Sequence, residues 1–258
     1  MIHSENIEET FVDIYVNEGV VTEFYAGKPN LIIGSSGAGK TVLLKLLIGL
    51  YKPDSGQVYY GDTDIFGLED RELRAIRMRI GMLFQGNALF DSMTVGENIR
   101  FPMDMFTRRT LKEKTMRVDE CLEMVNMEGI NDRYPSEVSG GMQKRVGIAR
   151  AMVLEPEYLF CDEPNSGLDP QTAILIDELI CDLTTRNNIT TIINTHDMNS
   201  VMGIGDNIIL MKDGNIAWHG DKSQVLESDN QVLEDFIFAS PFLRRLRADA
   251  LKLRKSEG

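Results

Sequence analysis

One run of eight residues has the composition and spacing of a phosphate-binding loop. It fits the pattern Gly, four residues, Gly-Lys-Thr, and it lies between a short apolar strand (31–33) and an apolar helix (42–48). Glycines let backbone N–H groups converge on a phosphate, and the N-terminus of the helix adds a favourable dipole. An ordinary Gly-Ser turn explains this combination less well, so the run predicts binding of a nucleoside triphosphate. Its residues are Gly34, Ser35, Ser36, Gly37, Ala38, Gly39, Lys40 and Thr41.

Two side chains of this loop and two acids further along the chain supply groups for hydrolysis. Lys40 is expected to reach the β and γ oxygens, and the Thr41 hydroxyl to ligate Mg²⁺. A later apolar run, 158–161, ends in Asp162 and Glu163. There Asp162 would hold the Mg²⁺ shell and Glu163 would polarise an attacking water. Alone, such a run also fits a strand that meets a helix cap; together with the loop it predicts a nucleotidase.

Four further motifs follow in an order and spacing that are highly specific. The motifs are Gln85 after the apolar 82–84, Ser139-Gly140-Gly141 within 138–142, Ser166-Gly167-Leu168-Asp169, and Asn194-Thr195-His196-Asp197. Together with the loop and the two acids, they resemble the ATP-binding subunits of ATP-binding cassette (ABC) transporters over essentially the whole chain.

The resemblance implies a role for each motif. Gln85 would contact Mg²⁺ or the attacking water and face a membrane partner. The segment 139–141, the signature, would cap the γ-phosphate that the other subunit of a dimer holds. Ser166 and Asp169 would link the two sites, and His196 would stabilise the γ-phosphate as charge develops. A lone His-Asp pair after a strand is more often structural, so this last role rests on the other motifs.

The same resemblance predicts ATP and Mg²⁺ as cofactors and a second copy of the chain as partner. A subunit cannot supply its signature to its own nucleotide, so two copies would pair head to tail and sandwich two ATP molecules. A helix that begins near Gly140 would direct its N–H groups and dipole at the γ-phosphate. Glu163 would then act as the general base or water-orienting carboxylate.

Two stretches resemble a narrower group within this family. Met142 stands where glutamine is usual, and the segment 82–95 looks like that of the Mla-type ATPases of intermembrane phospholipid transport. This resemblance implies an integral membrane permease and a lipid-binding domain protein as partners. Leu89, Phe90 and Met93 form an apolar cluster in the segment, either where a permease helix docks or as local core packing.

The composition is that of an acidic globular protein. Among 258 residues, 40 acidic against 27 basic side chains give a formal net charge of −13. This balance argues against a nucleic-acid partner, which normally meets a basic face. The three cysteines lack Cys-x-x-Cys spacing, which fits reduced, packed thiols. No apolar run approaches the roughly 20 residues of a spanning helix, and the start lacks a signal-peptide pattern. We expect a cytoplasmic protein, held on the cytoplasmic face of the inner membrane by the permease.

Strand and helix patterns alternate along the chain as in an α/β P-loop NTPase of the ABC type. We expect a mixed or parallel sheet core, an N-terminal antiparallel β-subdomain and an inserted helical subdomain at about 87–154, all in one domain over 1–258. A basic amphipathic tail at about 240–258 would contact a partner, anionic lipid or its own domain. The expected strands are 10–16 and 20–25 around a turn at 17–19, then 57–60, and a hairpin of 207–211 with 215–218.

Other functions stay open at the level of the sequence. A transport ATPase does not touch its cargo, so another substrate is an alternative to lipid. Non-transport ABC ATPases usually carry a long coiled coil, tandem cassettes or a basic face, which this sequence lacks, although the cluster-assembly type need not have them. A non-hydrolysing regulatory subunit would not need the full set of catalytic side chains. Phe11 and Tyr15 are the candidates for stacking on adenine, and GTP is an alternative to ATP.

Overall fold

The chain alternates strands and helices around a central sheet. The computed structural model describes the backbone of residues 1–11, 14–238 and 245, and their side chains except those of residues 6 and 8–21. The side chains of Phe11 and Tyr15 and all of the C-terminal tail but Arg245 lie outside these described residues. The strands are β1 (Ile2–Phe11), β2 (Ile14–Phe24), β3 (Pro29–Ile33), β4 (Ser55–Tyr60), β5 (Thr63–Asp64), β6 (Ile80–Leu83), β7 (Tyr158–Asp162), β8 (Thr190–Asn194), β9 (Asn207–Lys212) and β10 (Asn215–Gly220).

The helices follow the strands in the order expected of an α/β protein. Each of the longer ones begins at a capping residue or directly after a loop, and none of the described helices is long and apolar enough to cross a membrane. The helices are α1 (Lys40–Leu47), α2 (Asp70–Met78), α3 (Val95–Phe106), α4 (Leu111–Met124), α5 (Gly140–Met152), α6 (Pro170–Arg186), α7 (Met198–Ile204), α8 (Lys222–Val225) and α9 (Gln231–Ile237).

Two sheets form the frame of the molecule. The larger has the strand order β10-β9-β3-β8-β7-β6, in which all pairs are parallel except β9 with β10. The smaller has the order β2-β1-β4-β5 and is antiparallel. A parallel sheet needs cover on both faces, and alternate strand residues face opposite cores. Leu31 and Ile33 of β3 lie in one core with α3 to α6, whereas Ile32 lies in the other with α1 and the small sheet. The predicted fold class is confirmed.

The predicted turn at 17–19 is wrong. These residues lie inside β2, which begins at Ile14 after β1 has ended at Phe11. Pairing moves from Ile7 with Val20 to Glu9 with Val16, so β2 advances four residues while β1 advances two. The polar, glycine-containing segment is therefore a bulge that absorbs extra residues in a continuous strand.

Three helices lie in the range predicted for the helical subdomain. Helices α3, α4 and α5 pack on one another, and their apolar faces join the larger core. Cys121 of α4 is buried here and Cys161 is buried in β7, and both are free thiols. The bounds of the subdomain and the single-domain organisation stay predictions.

Candidate active site

The predicted catalytic motifs meet at one edge of the larger sheet. In space the strands run β3, β8, β7, β6, and each is followed at its carboxyl end by one motif. The carboxyl ends of neighbouring parallel strands share an edge, which is where α/β sheets bind ligands. The motifs in this spatial order are the phosphate loop, the His196 segment, the Asp162-Glu163 pair and Gln85.

The phosphate loop needs glycine for a steric reason at its first position. Gly34 has a φ of 148°, and a Cβ there would collide with the carbonyl oxygen of Met211 on β9. Gly39 precedes α1 with a φ of 97°, a left-handed conformation that favours glycine. Between them, residues 35–37 are exposed, so their backbone is accessible to a phosphate.

Lys40 points back over the loop from the first residue of α1. Its Nζ donates to the carbonyl oxygens of Gly34 at 2.8 Å and Ser35 at 3.1 Å. Burial lowers the pKa of this ammonium, and the carboxylates of Glu163 and Asp162 oppose that effect. The amine is thus held at the mouth of the loop, where a phosphate oxygen would replace the carbonyl partners.

Glu163 is held tightly at the end of β7. Its backbone is left-handed, with φ 50°, and its N–H donates to the carbonyl oxygen of Asn194 at 2.9 Å. Its side chain is only 14% exposed and lies 2.8 Å from Nδ1 of His196, whose ring is 68% exposed. A non-glycine residue in this conformation is strained, and such strain clusters at functional sites. The pair presents one ordered carboxylate and one accessible imidazole.

The predicted Mg²⁺ ligands have the right chemistry for that ion. Asp162 accepts a hydrogen bond from Nδ2 of Asn194 at 3.2 Å through Oδ1, and Thr41 is exposed at the start of α1. Gln85 is exposed after β6. No cluster of three His, Cys, Asp or Glu that could hold a metal occurs among the described residues. One carboxylate and a hydroxyl suit Mg²⁺, because nucleotide phosphates and water complete its octahedral shell.

The signature begins a separate helix, α5. Ser139 is the N-cap of α5, and its Oγ accepts a hydrogen bond from the backbone N–H of Met142 at 3.3 Å. Ser139 and Gly140 are exposed, and no hydrogen bond in the described part of the chain links the segment 139–141 to the phosphate loop. The helix N-terminus is thus free to meet an anion from outside the subunit.

The segment predicted to link two sites is tied to Glu163. The N–H of Ser166 donates to the Glu163 carbonyl oxygen at 3.2 Å. Asp169 is the N-cap of α6 and accepts from the N–H of Thr172 at 3.0 Å. The hydroxyl of Thr172 also donates to this carboxylate, at 2.5 Å, and the hydroxyl and the N–H together lower the pKa of the Asp169 carboxyl. Both residues are exposed, so a neighbouring subunit has access to them.

Sequence reasoning missed two cations on α5 that touch these motifs. Lys144 is buried and donates to the Glu163 carbonyl oxygen at 3.4 Å. Arg150 donates to the carbonyl oxygens of Asn87 at 2.6 Å and Ala88 at 2.7 Å, just beyond Gln85. A signal for Lys144 did exist, because it lies four residues before Ile148 and so shares the apolar face of the helix.

Comparison with known proteins decides the family. The family model described as "ABC transporter" matches residues 18–166, more than half of the chain. The chain belongs to the ABC transporter family. It is an ATP-hydrolysing cassette that uses ATP and Mg²⁺, and solved cassettes share its fold. One is a dimeric cassette in a post-hydrolysis state bound to ADP and Pi, with 32% identity, a TM-score of 0.78 and coverage of 86% of this chain and 99% of that one.

Relatives within the family carry different names. A Mycobacterium leprae protein named probable ribonucleotide transport ATP-binding protein mkl is 36% identical over 92% of this chain and 68% of its own length. The methionine import ATP-binding protein MetN of Geobacillus kaustophilus is 42% identical over 84% of this chain and 63% of its own length. The cbiO1 structure from Clostridium perfringens, part of the ABC transporter complex cbiONQ, is 29% identical with a TM-score of 0.81 over 89% of this chain and 91% of that chain. The chain spans about two thirds of the length of the Mycobacterium leprae and Geobacillus kaustophilus relatives.

Proposed function

We propose that two copies of this chain pair head to tail around two ATP molecules and power an ABC transporter. One observation carries the proposal: Lys40, Asp162, Glu163 and His196 converge at one sheet edge, whereas Ser139 starts a separate helix with an open N-terminus. A subunit so built holds the phosphates and the attacking water but lacks a cap for its own γ-phosphate. A second copy would supply that cap.

The residues of one subunit divide the chemistry between them. Lys40 leaves its two carbonyl partners and binds the β and γ oxygens, where its charge is stabilised by the phosphates. Glu163 orients the attacking water and takes its proton, while His196 donates to the γ-phosphate as charge develops. Thr41, Asp162 and Gln85 would hold Mg²⁺, which when bound neutralises phosphate charge.

Replacing the base tests this assignment. Glu163→Gln keeps the size of the side chain but removes its basicity, so we expect loss of steady-state ATP turnover by about 10²-fold or more. ATP binding and nucleotide-dependent dimerisation should persist, as followed by equilibrium binding and light scattering. Glu178→Gln, an exposed position on α6 with the same change of charge, is the control and should keep full activity. Near-normal turnover by E163Q would remove the base role.

A surface groove beside Gln85 is the proposed docking site for the membrane permease. Its volume is about 950 Å³, and its walls come from β6, α2, α3 and the C-terminal part of α5. Phe90 and Phe106 are 41% and 57% exposed in it, and the ring of Phe90 lies 4.9 Å from that of Phe101 at an interplanar angle of 56°. Leu89 instead packs on the core, so the apolar cluster predicted here divides between core and groove. Exposed aromatic side chains that line a concave surface favour a partner over water.

The proposed cargo is phospholipid moved between membranes. It rests on Met142 in the signature and on the segment 82–95, both of which resemble the Mla-type ATPases. The permease would then hold the subunit at the cytoplasmic face of the inner membrane, with a lipid-binding domain protein in the same complex. Transport of a ribonucleotide or import of methionine is the second candidate, because two relatives carry those names.

Isolation of the complex separates these cargoes. The tagged chain is extracted from membranes in mild detergent, and co-purified proteins and small molecules are identified by mass spectrometry. Lipid transport requires a permease, a lipid-binding domain protein and phospholipid in excess of a mock purification. A solute-binding protein with bound methionine or nucleotide would overturn the lipid assignment and keep the transporter assignment.

A further inference from the structure

Lys144 is a buried cation at the centre of the site that the roles assigned above do not use. It lies on α5 with 2% of its surface exposed. Its Nζ donates to the carbonyl oxygen of Glu163 at 3.4 Å, the one hydrogen bond of this ammonium among the described residues. An ammonium has three donors, so this group is under-satisfied for a buried charge.

Lys144 lies beside the two predicted catalytic acids. Burial lowers the pKa of its ammonium, and the neighbouring Cys161, Glu163 and Asp162 oppose that effect. Lys40 has the same two carboxylates beside it from the phosphate loop. Asp162 and Glu163 thus have two lysines as neighbours, Lys40 from α1 and Lys144 from α5.

A packing role alone does not account for a lysine here. Taking an ammonium out of water costs free energy that one long hydrogen bond does not return. Methionine has a similar length and would fill the same space without that cost. The N–H donor that Lys144 places at this position therefore serves something other than stability.

The position of Lys144 on α5 indicates what this donor does. Ser139 and Gly140, which would meet the partner's nucleotide, precede Lys144 by five and four residues on one rigid helix. Because an α-helix rises only about 1.5 Å per residue, the two ends of this short segment lie close together and move as one unit. The carbonyl that Lys144 holds belongs to the strained Glu163, which the N–H of Ser166 also holds. A shift of α5 therefore acts on the peptide of the catalytic carboxylate.

We propose that Lys144 is a positioning residue that couples the signature helix to Glu163 of the same subunit. Capping of the partner's γ-phosphate by Ser139 would set α5, and Lys144 would then set the Glu163 carboxylate for its own nucleotide. Each site would thus hydrolyse its ATP only when the signature of the same subunit also caps the ATP bound by the partner. This inference rests on the proposed roles of Glu163 and of the signature.

Single variants give the first test. In full-length homodimers, Lys144→Met should lower kcat about tenfold or more with KM for ATP within about twofold, because the carboxylate is misplaced while binding is intact. Lys144→Gln keeps an N–H donor for the Glu163 carbonyl and should recover kcat to within about threefold of the unchanged chain. The midpoint of thermal unfolding of K144M should equal or exceed that of the unchanged chain. A less stable K144M would overturn the inference.

Mixed dimers, isolated through two different affinity tags, give the decisive test. The reference pairs one E163Q subunit with one unchanged subunit, so that a single site works. With K144M and E163Q on the same subunit, activity should equal the reference. With the two substitutions on opposite subunits, the remaining Glu163 loses its own Lys144 and activity should fall about tenfold below the reference.

Each other outcome has a distinct meaning. If the same-subunit arrangement is the slow one, Lys144 acts through the signature on the partner's nucleotide, and the inference is wrong. Equal activity in both arrangements, whether at or below the reference, also overturns it. An E163Q homodimer that hydrolyses ATP normally would instead refute the proposed base, so the two failures are distinguishable.

Discussion

Gly34 and Gly37 lie in the same phosphate loop, but the physical reason for glycine differs between the two positions. Both have positive φ, 148° and 82°, but only at Gly34 would a Cβ meet backbone, whereas Gly37 has open space. Gly34→Ala should lower the free energy of unfolding by about 3 kcal/mol, from steric overlap plus strain. Gly37→Ala should lose about 1 kcal/mol from its left-handed backbone alone. Denaturant unfolding without nucleotide measures both, and equal losses would show that Met211 can move away.

At the scale of the element, the C-terminus of α5 depends on a side chain from α4. Arg117 is 9% exposed and donates to the carbonyl oxygens of Met152 at 2.9 Å and Val153 at 3.1 Å. Because Arg117→Ala leaves these carbonyls without that donor, it should lower the free energy of unfolding by about 1–3 kcal/mol. Arg186→Ala is the control: its side chain is 76% exposed and pairs within one helix with Asp182, so we expect a change below about 0.5 kcal/mol. Similar losses in the two variants would argue against capping by Arg117.

Sequence patterns found the elements whose signals are local. The phosphate loop, the β7 strand that ends in Asp162 and the hairpin of β9 and β10 follow from glycine spacing and apolar runs. The segment 17–19 misled, because an Asn-x-Gly triplet favours a turn as readily as a bulge. Which of the two forms is decided by pairing across β1, which no local pattern contains.

Contacts between distant residues were the part of the site that sequence did not predict. Lys144 meets Glu163 across 19 positions and Arg150 meets Asn87 across 63, and only the packing of α5 on the sheet brings them together. The order β3-β8-β7-β6, which aligns the four motifs, is likewise a property of topology. The resemblance to a family supplied the motif roles that residue types alone left open.

At the scale of the whole molecule, the proposed pairing leaves each subunit an incomplete enzyme until a second copy supplies its Ser139. If a second copy completes the site, the specific ATPase activity should rise with subunit concentration at high dilution, since only dimers turn over. Ser139→Ala removes the hydroxyl that would reach the partner's nucleotide, and it should lower kcat about tenfold or more. Steady-state phosphate release over a range of subunit concentrations measures both effects.

Ser139 is also the N-cap of α5, so loss of a cap must be separated from loss of a phosphate contact. Asn230 caps α9 in the same way, accepting from the N–H of Leu233 at 3.0 Å, and it lies outside the predicted motifs. Asn230→Ala and Ser139→Ala should each lower the free energy of unfolding by about 1 kcal/mol. Only Ser139→Ala should also lower kcat. If a dilute, monomeric subunit hydrolyses ATP at the full rate and Ser139→Ala behaves like Asn230→Ala, hydrolysis is completed within one chain and the paired arrangement is wrong.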